Sequence, residues 1–409
     1  MQKVTFIMGS VFPVPATKGG AVENLIENIV KIQENQKKIE LNIICAYDFD
    51  AKKIAKEKYK NTKFYFIKIN KFFKIFDRVI SFFVTKILRK KNVMAYSYIF
   101  QRLSYYRKIS KILSREDCGK IILENSTGLY LALKWKNNYK KYKNKFFYHC
   151  HNKVNMDFGC KDIIEQTNKF ISVSKYMQDD LKLFTNINDN NRFFVLKNMI
   201  DRVKFDKEIS KEEEQKIKQK YNIMPDDKII IFVGRLTEEK GIKQLLLAID
   251  TIKNAKIKIL IVGSYFFNTK VRNDFINEID KIIDRNREKI IFTGYINYDD
   301  IYKYYKIADI AVLPSMWEEP AGLTIQEAEV CGLPIITTYS GGIPEYVNND
   351  NAIILNRDDS LIDNLKISIE MLLEDNDKRN KMKNSSLEIG NKISITDYYN
   401  DFIKIINSL

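Results

Sequence analysis

The sequence predicts two α/β domains, each a parallel sheet wound with helices. A chain of 409 residues is too long for one compact core and suits two domains of ordinary size. Short β-branched or aromatic runs alternate with longer amphipathic stretches, the signature of repeated βα units. A charged, structure-poor stretch over 201–227, with the helix-like SKEEEQKIKQKYNI, separates the runs into two sets.

In the first set the strand candidates are 4–8, 41–46, 63–69, 120–123, 146–149, 170–173 and 193–196; in the second they are 229–233, 257–262, 290–293, 310–313 and 334–337. The segment 393–409 repeats Ile393, Ile395, Tyr398, Tyr399, Phe402, Ile403, Ile405 and Ile406 at mostly helical spacing, so it reads as a terminal helix that must dock on something. The expected division is 1–200 together with the helix 393–409, and 201–392. No internal repeat or low-complexity segment interrupts this plan.

Composition narrows the class. An apolar content of 45%, with 15 Gly and 7 Pro, describes a folded globular chain. No apolar run approaches the roughly 18–20 residues a bilayer requires, and MQKVTFIMGS reads as a strand without a cleavable signal pattern. Five scattered cysteines, an odd number, fit a reducing compartment, so the expectation is a cytoplasmic protein. Charge is lopsided: residues 1–200 hold 38 Lys and Arg against 17 Asp and Glu, the remainder 30 against 35, and the stretch 51–150 alone carries 26 against 5. That asymmetry calls for an anionic partner or surface, unless Lys is simply the chain's solubilising residue.

Four motifs carry chemistry. In PSMWEEPAGLTIQEAEVCGLP the strand 310–313 leads through Glu319, Pro320 and Gly322 into a helix read over 321–330, whose unpaired N–H groups at a positive dipole end suit a phosphate. Glu319 and Glu327 stand eight positions apart, close to a whole number of helical turns, so both carboxylates can face one cleft. Spacing alone equally allows a helix cap and a solvated helix residue, and a hydrolase carboxylate pair has no feature fixing its separation. In IIIFVGRLTEEKGI, Gly234 closes a strand and Arg235 and Lys240 can clamp a diphosphate, one as a fork and the other as a point charge; otherwise they are surface charges at a βα turn. In PVPATKGGAVENLIENIV, Gly19 and Gly20 bare the backbone ahead of a helix, a weak signal that also fits an ordinary turn. YHCHN holds the only two histidines, His149 and His151, on one face of a strand. The pair meets substrate at the strand end or is buried and hydrogen-bonded; as a zinc chelate it lacks a telling third ligand, Cys160 being a weak candidate.

Taken together these motifs resemble glycosyltransferase family 4, the retaining transferases of GT-B architecture, over nearly the whole chain. Glu319 and Glu327 match the family's paired glutamates and GRLTEEKG its diphosphate loop, while PVPATKGGAVEN, the His151-Asn152 pair and GGIPE are similar to the branch that includes spore-coat and cell-envelope polysaccharide transferases. The resemblance implies two Rossmann-like domains facing a central cleft, with a C-terminal helix returning to the N-terminal, acceptor-binding domain. It places catalysis on His151, Glu319, Arg235 and Lys240. Donor binding falls to Gly19, Gly20, Gly234, Gly263, Ser264, Gly294, Tyr295, Ile296, the amides of Gly322, Leu323 and Thr324, and Glu327 at the ribose. Two positions depart from the family: Ala321 stands where Phe usually follows Glu-Pro, and Met199 replaces the usual Gly after the linking strand.

The implied activity is transfer of a hexose or N-acetylhexosamine from a nucleotide-diphosphate sugar, with UDP the expected nucleotide, to a glycan or lipid-linked acceptor in cell-envelope or capsular polysaccharide synthesis. It requires no metal and no cofactor, and no nucleic acid is an expected partner. The segment KINKFFKIFDRVISFFVTKILRKK sets Phe72, Phe76, Val79, Phe83 and Ile87 at helical spacing among Lys71, Lys74, Arg78, Lys86, Arg89 and Lys90. Such a helix over 68–91 suits an anionic membrane, which would place the protein at the inner face of the plasma membrane; a core-facing Phe stripe is the rival reading. Two other activities remain open: a sugar-nucleotide epimerase of the same architecture, and a non-catalytic polyanion or single-stranded nucleic-acid binder.

Overall fold

A computed structural model describes residues 1–86, 98–254, 256–263 and 274–408. Two units emerge: Met1–Lys197 with Thr396–Leu409, and Asn198–Ile395. In the first, β1 (Gln2–Ile7), β2 (Ile39–Ala46), β3 (Thr62–Ile67), β4 (Lys120–Glu124), β5 (Phe146–Cys150), β6 (Phe170–Ser172) and β7 (Phe193–Val195) form one sheet in the order β3-β2-β1-β4-β5-β6-β7. In the second, β8 (Lys228–Val233), β9 (Ile257–Val262), β10 (Ile290–Gly294), β11 (Ile310–Leu313), β12 (Ile335–Thr338) and β13 (Ala352–Leu355) run β10-β9-β8-β11-β12-β13. Every pairing is parallel, so the order reverses direction at β1/β4 and at β8/β11, the switch points where open α/β sheets bind ligands at their carboxyl ends. All twelve strands read from the sequence are present, and β13 is an addition.

Parallel strands covered on both faces are near-continuously apolar. Along β8, Ile229, Ile231 and Val233 enter a core with Ile325 and Ala328, whereas Ile230 and Phe232 enter a second core with Leu245, Ile249 and Leu365. The helix Ile395–Asn407 completes the first unit: Phe402 packs 5.1 Å from Phe6, Tyr399 donates to Gln33, and Lys169 reaches the carbonyl of Ile405. The second unit begins where Gln326 takes both the N–H of Ile200 and the carbonyl of Asn198, tying the segment around Met199 to the helix Leu323–Val330.

The helix Lys71–Lys86 turns its Asp77 inward, where the carboxylate accepts from the amides of Phe100 and Gln101 and from the Gln101 side chain, capping the helix Ile99–Arg115. The opposite face leaves Phe72, Ile75, Phe76, Val79 and Phe82 exposed, between 55% and 67%, with Lys74 and Arg78 exposed beside them. Three of the stripe residues read from the sequence, Phe72, Phe76 and Val79, therefore point away from the core; Ile87, Arg89 and Lys90 lie outside the described residues. Among the described residues no helix is long and apolar enough to cross a membrane.

Candidate functional site

At the carboxyl ends of β8, β9 and β10 the chain ends three adjacent strands in glycine. The amide of Gly234 donates to Val262, and that of Gly263 to Gly294. Gly263 sits at φ 155°, and a Cβ there would come within 1.9 Å of the Gly234 carbonyl oxygen, so bare backbone is obligatory. Tyr295 follows Gly294 and is exposed, Ile296 is half-buried, and Ser264 lies outside the described residues.

Across the switch point, the loops after β8 and β11 are joined. Ser315 lies within hydrogen-bond reach of the Glu239 carbonyl at 3.1 Å and of Glu319 Oε1 at 2.9 Å, and the Met316 amide donates to Glu239. Gly241 permits this contact, because a Cβ there would lie 1.8 Å from the carbonyl oxygen of Pro314. Lys240 Nζ pairs with Glu319 Oε1 and sits 5.8 Å from the ring centre of Trp317. Two residues 79 positions apart in sequence thus meet at one spot. Arg235, on the same loop as Lys240, is half-exposed and 3.5 Å from Glu239. The Glu319 carbonyl accepts from Gly342, fastening the GGIPE loop onto this segment.

The helix expected over 321–330 is Leu323–Val330, with Gly322 at its cap and no side chain capping it. Glu319 therefore stands in the loop, because Pro320 and the non-helical Gly322 delay the helix; helical periodicity does not relate it to Glu327. The amides of Leu323 and Thr324 are first-turn donors without intrahelical acceptors, beside the Glu319 loop. Glu327 is buried and accepts from Tyr305 at 2.9 Å. Burial pushes its carboxyl up to about 7, against the hydrogen bonds of Tyr305 and Tyr298 that favour the charged form. These two tyrosines, Ser315 and Gln326 are site residues the sequence reading missed.

The first unit has its own cluster at the ends of β1, β4 and β5. Gly19 and Gly20, at φ 73° and 106°, lead into the helix Ala21–Gln36. Glu23, buried in its first turn, has its carboxyl pushed up to about 7 by burial. Glu124 ends β4 and pairs in register with His149 of β5. Its Oε1 is 3.1 Å from His149 Nδ1 and its Oε2 is 2.9 Å from His151 Nε2, with the two rings 4.1 Å apart. Burial opposes charge on Glu124, but the two histidines hold its carboxyl down to about 2; burial and then the neighbouring His149 lower His151 to about 4. Glu124, absent from the sequence reading, is the third member that His149 and His151 lacked there, and the three side chains could together hold a metal ion, their ligand atoms lying within 4.8 Å of one another. His149 Nδ1 and His151 Nε2 are already hydrogen-bonded to Glu124, whereas His149 Nε2 and His151 Nδ1 have no partner among the described residues. Beside it, Asn125, Thr127, Tyr148, Lys153, Met156 and Phe158 help line a cavity of about 240 Å³.

The glycine row, the Lys240–Glu319 pair and the helix start lie within residues 213–388, which match the family model described as glycosyl transferases group 1. This segment of the chain is similar to that family. Part of the chain has curated relatives: an uncharacterised glycosyltransferase of Methanocaldococcus jannaschii, 32% identical over 44% of this chain and 44% of its own, and the capsular polysaccharide biosynthesis glycosyltransferase CapM of Staphylococcus aureus, 26% identical over 47% and 51%. The chain thus spans about half the length of these relatives or less. Among solved structures, HepE of Anabaena in complex with UDP superposes over the full length of both chains with a TM-score of 0.73 at 18% identity. The fold is GT-B.

Proposed function

We propose that the protein is a retaining glycosyltransferase that moves a hexose or N-acetylhexosamine from a UDP-sugar to a glycan or lipid-linked acceptor of cell-envelope polysaccharide. The observation that carries this reading is the meeting of Lys240 and Glu319 beside an uncapped helix start at the β8/β11 switch point. A diphosphate there would lie against Lys240, Arg235 and the amides of Gly322, Leu323 and Thr324, with Glu319 at the sugar hydroxyls and Glu327 at the ribose. The bond from the anomeric carbon to the diphosphate breaks as the acceptor oxygen bonds on the same face, and the acceptor's proton passes to the departing phosphate. Lys240, Arg235 and the helix amides absorb the developing charge, the work a divalent ion performs elsewhere. UDP in the HepE complex and the polysaccharide role in CapM's name favour this donor and acceptor class.

Thermal-shift screening against UDP-, GDP- and dTDP-sugars tests the reading, followed by product analysis in the presence of EDTA. Stabilisation by one nucleotide series, with chelator-insensitive transfer and a product of unchanged anomeric configuration, is expected. A sugar isomer formed without acceptor would show an epimerase instead. Salt-sensitive RNA binding with no response to any sugar nucleotide would show a polyanion binder.

The exposed apolar face of Lys71–Lys86 and the basic excess of the surrounding sequence support a second element of the proposal: contact with an anionic membrane at its cytoplasmic face. An exposed apolar face with Lys74 and Arg78 exposed beside it matches that partner in both hydrophobicity and charge. The protein should float with phosphatidylglycerol vesicles, and a Phe76→Ser/Val79→Ser variant should not. Absence of binding at low salt by the unaltered chain refutes this element.

A further inference from the structure

Glu124 has an occupation that the transfer chemistry of the second unit does not explain. It is completely buried at the end of β4 and gives one oxygen to each of the only two imidazoles in the chain. Each carboxylate oxygen accepts from the ring nitrogen it faces, at 3.1 Å for His149 Nδ1 and 2.9 Å for His151 Nε2. With Nε2–H turned to the carboxylate, the lone pair of the His151 ring lies on Nδ1. That atom is buried and without a partner among the described residues, as is His149 Nε2. A buried acceptor of this kind is available to a donor from outside the described residues.

We infer that Glu124 is a positioning residue for transfer: by accepting from Nε2–H it holds His151 in the one tautomer whose Nδ1 can accept a hydrogen bond from a sugar hydroxyl. This rests on the glycosyltransferase reading. The strand register supplies the rigidity, since Glu124 pairs with His149 and His151 follows two residues later on the same face. The Asn125 side chain adds a second tether, accepting from the His151 amide at 3.2 Å. His149, with no exposed surface, closes the other side of the carboxylate and prevents Glu124 from turning away.

With two histidines in the sequence, a long-range ¹H–¹⁵N spectrum of the untagged protein shows two imidazoles and no more. His151 should show a protonated Nε2 and a bare Nδ1 throughout pH 6 to 8. In Glu124→Gln the amide can donate to the ring as well as accept, so the fixed tautomer should be lost. Turnover should then fall roughly 10²-fold while the KM for the donor stays within about threefold. Glu124→Asp, which keeps the carboxylate, should restore part of both. A proton on Nδ1 in the unaltered protein overturns the inference without any activity measurement. So does a Glu124→Gln variant with altered tautomer but undiminished turnover, or uptake of one equivalent of zinc by EDTA-treated protein with shifts at both rings. If no sugar nucleotide is ever consumed, the transferase reading fails while the spectrum still decides the tautomer.

Discussion

Replacing Lys240 by alanine removes the cation that pairs with Glu319 and, on the proposed reading, meets the donor diphosphate. A charge-assisted hydrogen bond contributes about 1.5–3 kcal/mol. Coulomb attraction at about 4 Å and an effective dielectric near 20 sets a ceiling of about 4 kcal/mol. Because the Lys240 side chain is 26% exposed, solvent screening pulls the value toward the lower end. Glu319, only 7% exposed, would lose its cation, retain the Ser315 hydroxyl, and repel an arriving phosphate. A loss of about 2–3 kcal/mol in transition-state stabilisation corresponds to roughly 30- to 150-fold in kcat/KM. The assay is initial-rate nucleotide release at saturating acceptor, with the thermal midpoint recorded so that unfolding is not mistaken for lost chemistry. Lys240→Arg should retain part of the rate, since the charge survives in a different geometry. An unchanged kcat/KM in Lys240→Ala refutes the diphosphate assignment. If the same change made in a Glu319→Ala background costs nothing further, the lysine serves the carboxylate and not the donor.

Other perturbations follow from the same geometry. Glu327 has its folded pKa raised from 4.5 to about 7, so the stability it confers is complete below about pH 4.5 and is lost as pH rises through 7. Glu327→Gln should therefore gain thermal stability relative to the unaltered protein between pH 5 and 8, by roughly 3 kcal/mol at most, while its donor KM rises; a constant difference across that range contradicts the assignment. Gly263→Ala, which drives a methyl into the Gly234 carbonyl, should abolish folding or cost several kcal/mol. Gly294→Ala, with nothing within 4 Å of the added carbon, should cost only the backbone strain of about 1–2 kcal/mol at φ 71°; equal thermal midpoints for the two variants would be the wrong result. Raising salt from 50 to 300 mM should strip the protein from anionic vesicles yet change the donor KM less than threefold, because the phosphate groups act at contact distance within an acidic half; the opposite pattern would relocate the donor to the basic half.

The fold was legible because parallel strands announce themselves locally. Runs such as IIIFV and IKILIV can only be buried on both faces, and each proved to be a strand within a residue or two of its reading. β13 escaped because AIIL is four residues long and sits beside NNDN; its pairing with β12, not its own pattern, makes it a strand. The Lys71–Lys86 helix was ambiguous for a related reason. Periodicity shows that a helix has an apolar face, but which face turns inward is decided by a tertiary contact, here the capping of Ile99–Arg115 by Asp77.

The site residues divide along the same line. Arg235, Lys240, Glu319 and the glycines were visible because loops at strand ends carry their chemistry in short stretches of sequence. Glu124 was not, since IILEN reads as an ordinary strand end and its partners lie 25 and 27 positions later. Only the parallel register of β4 and β5 makes it the hub of both histidines. Tyr305 and Tyr298 were hidden likewise, as aromatic residues in a polar segment whose hydroxyls find Glu327 from another element. A residue that touches ligand is constrained by what the ligand offers and recurs in local motifs, whereas a residue that orients another is constrained by the fold. The carboxylate holding His151 belongs to the second kind, which explains why a sequence scan reaches the histidine and stops short of the group that sets its proton.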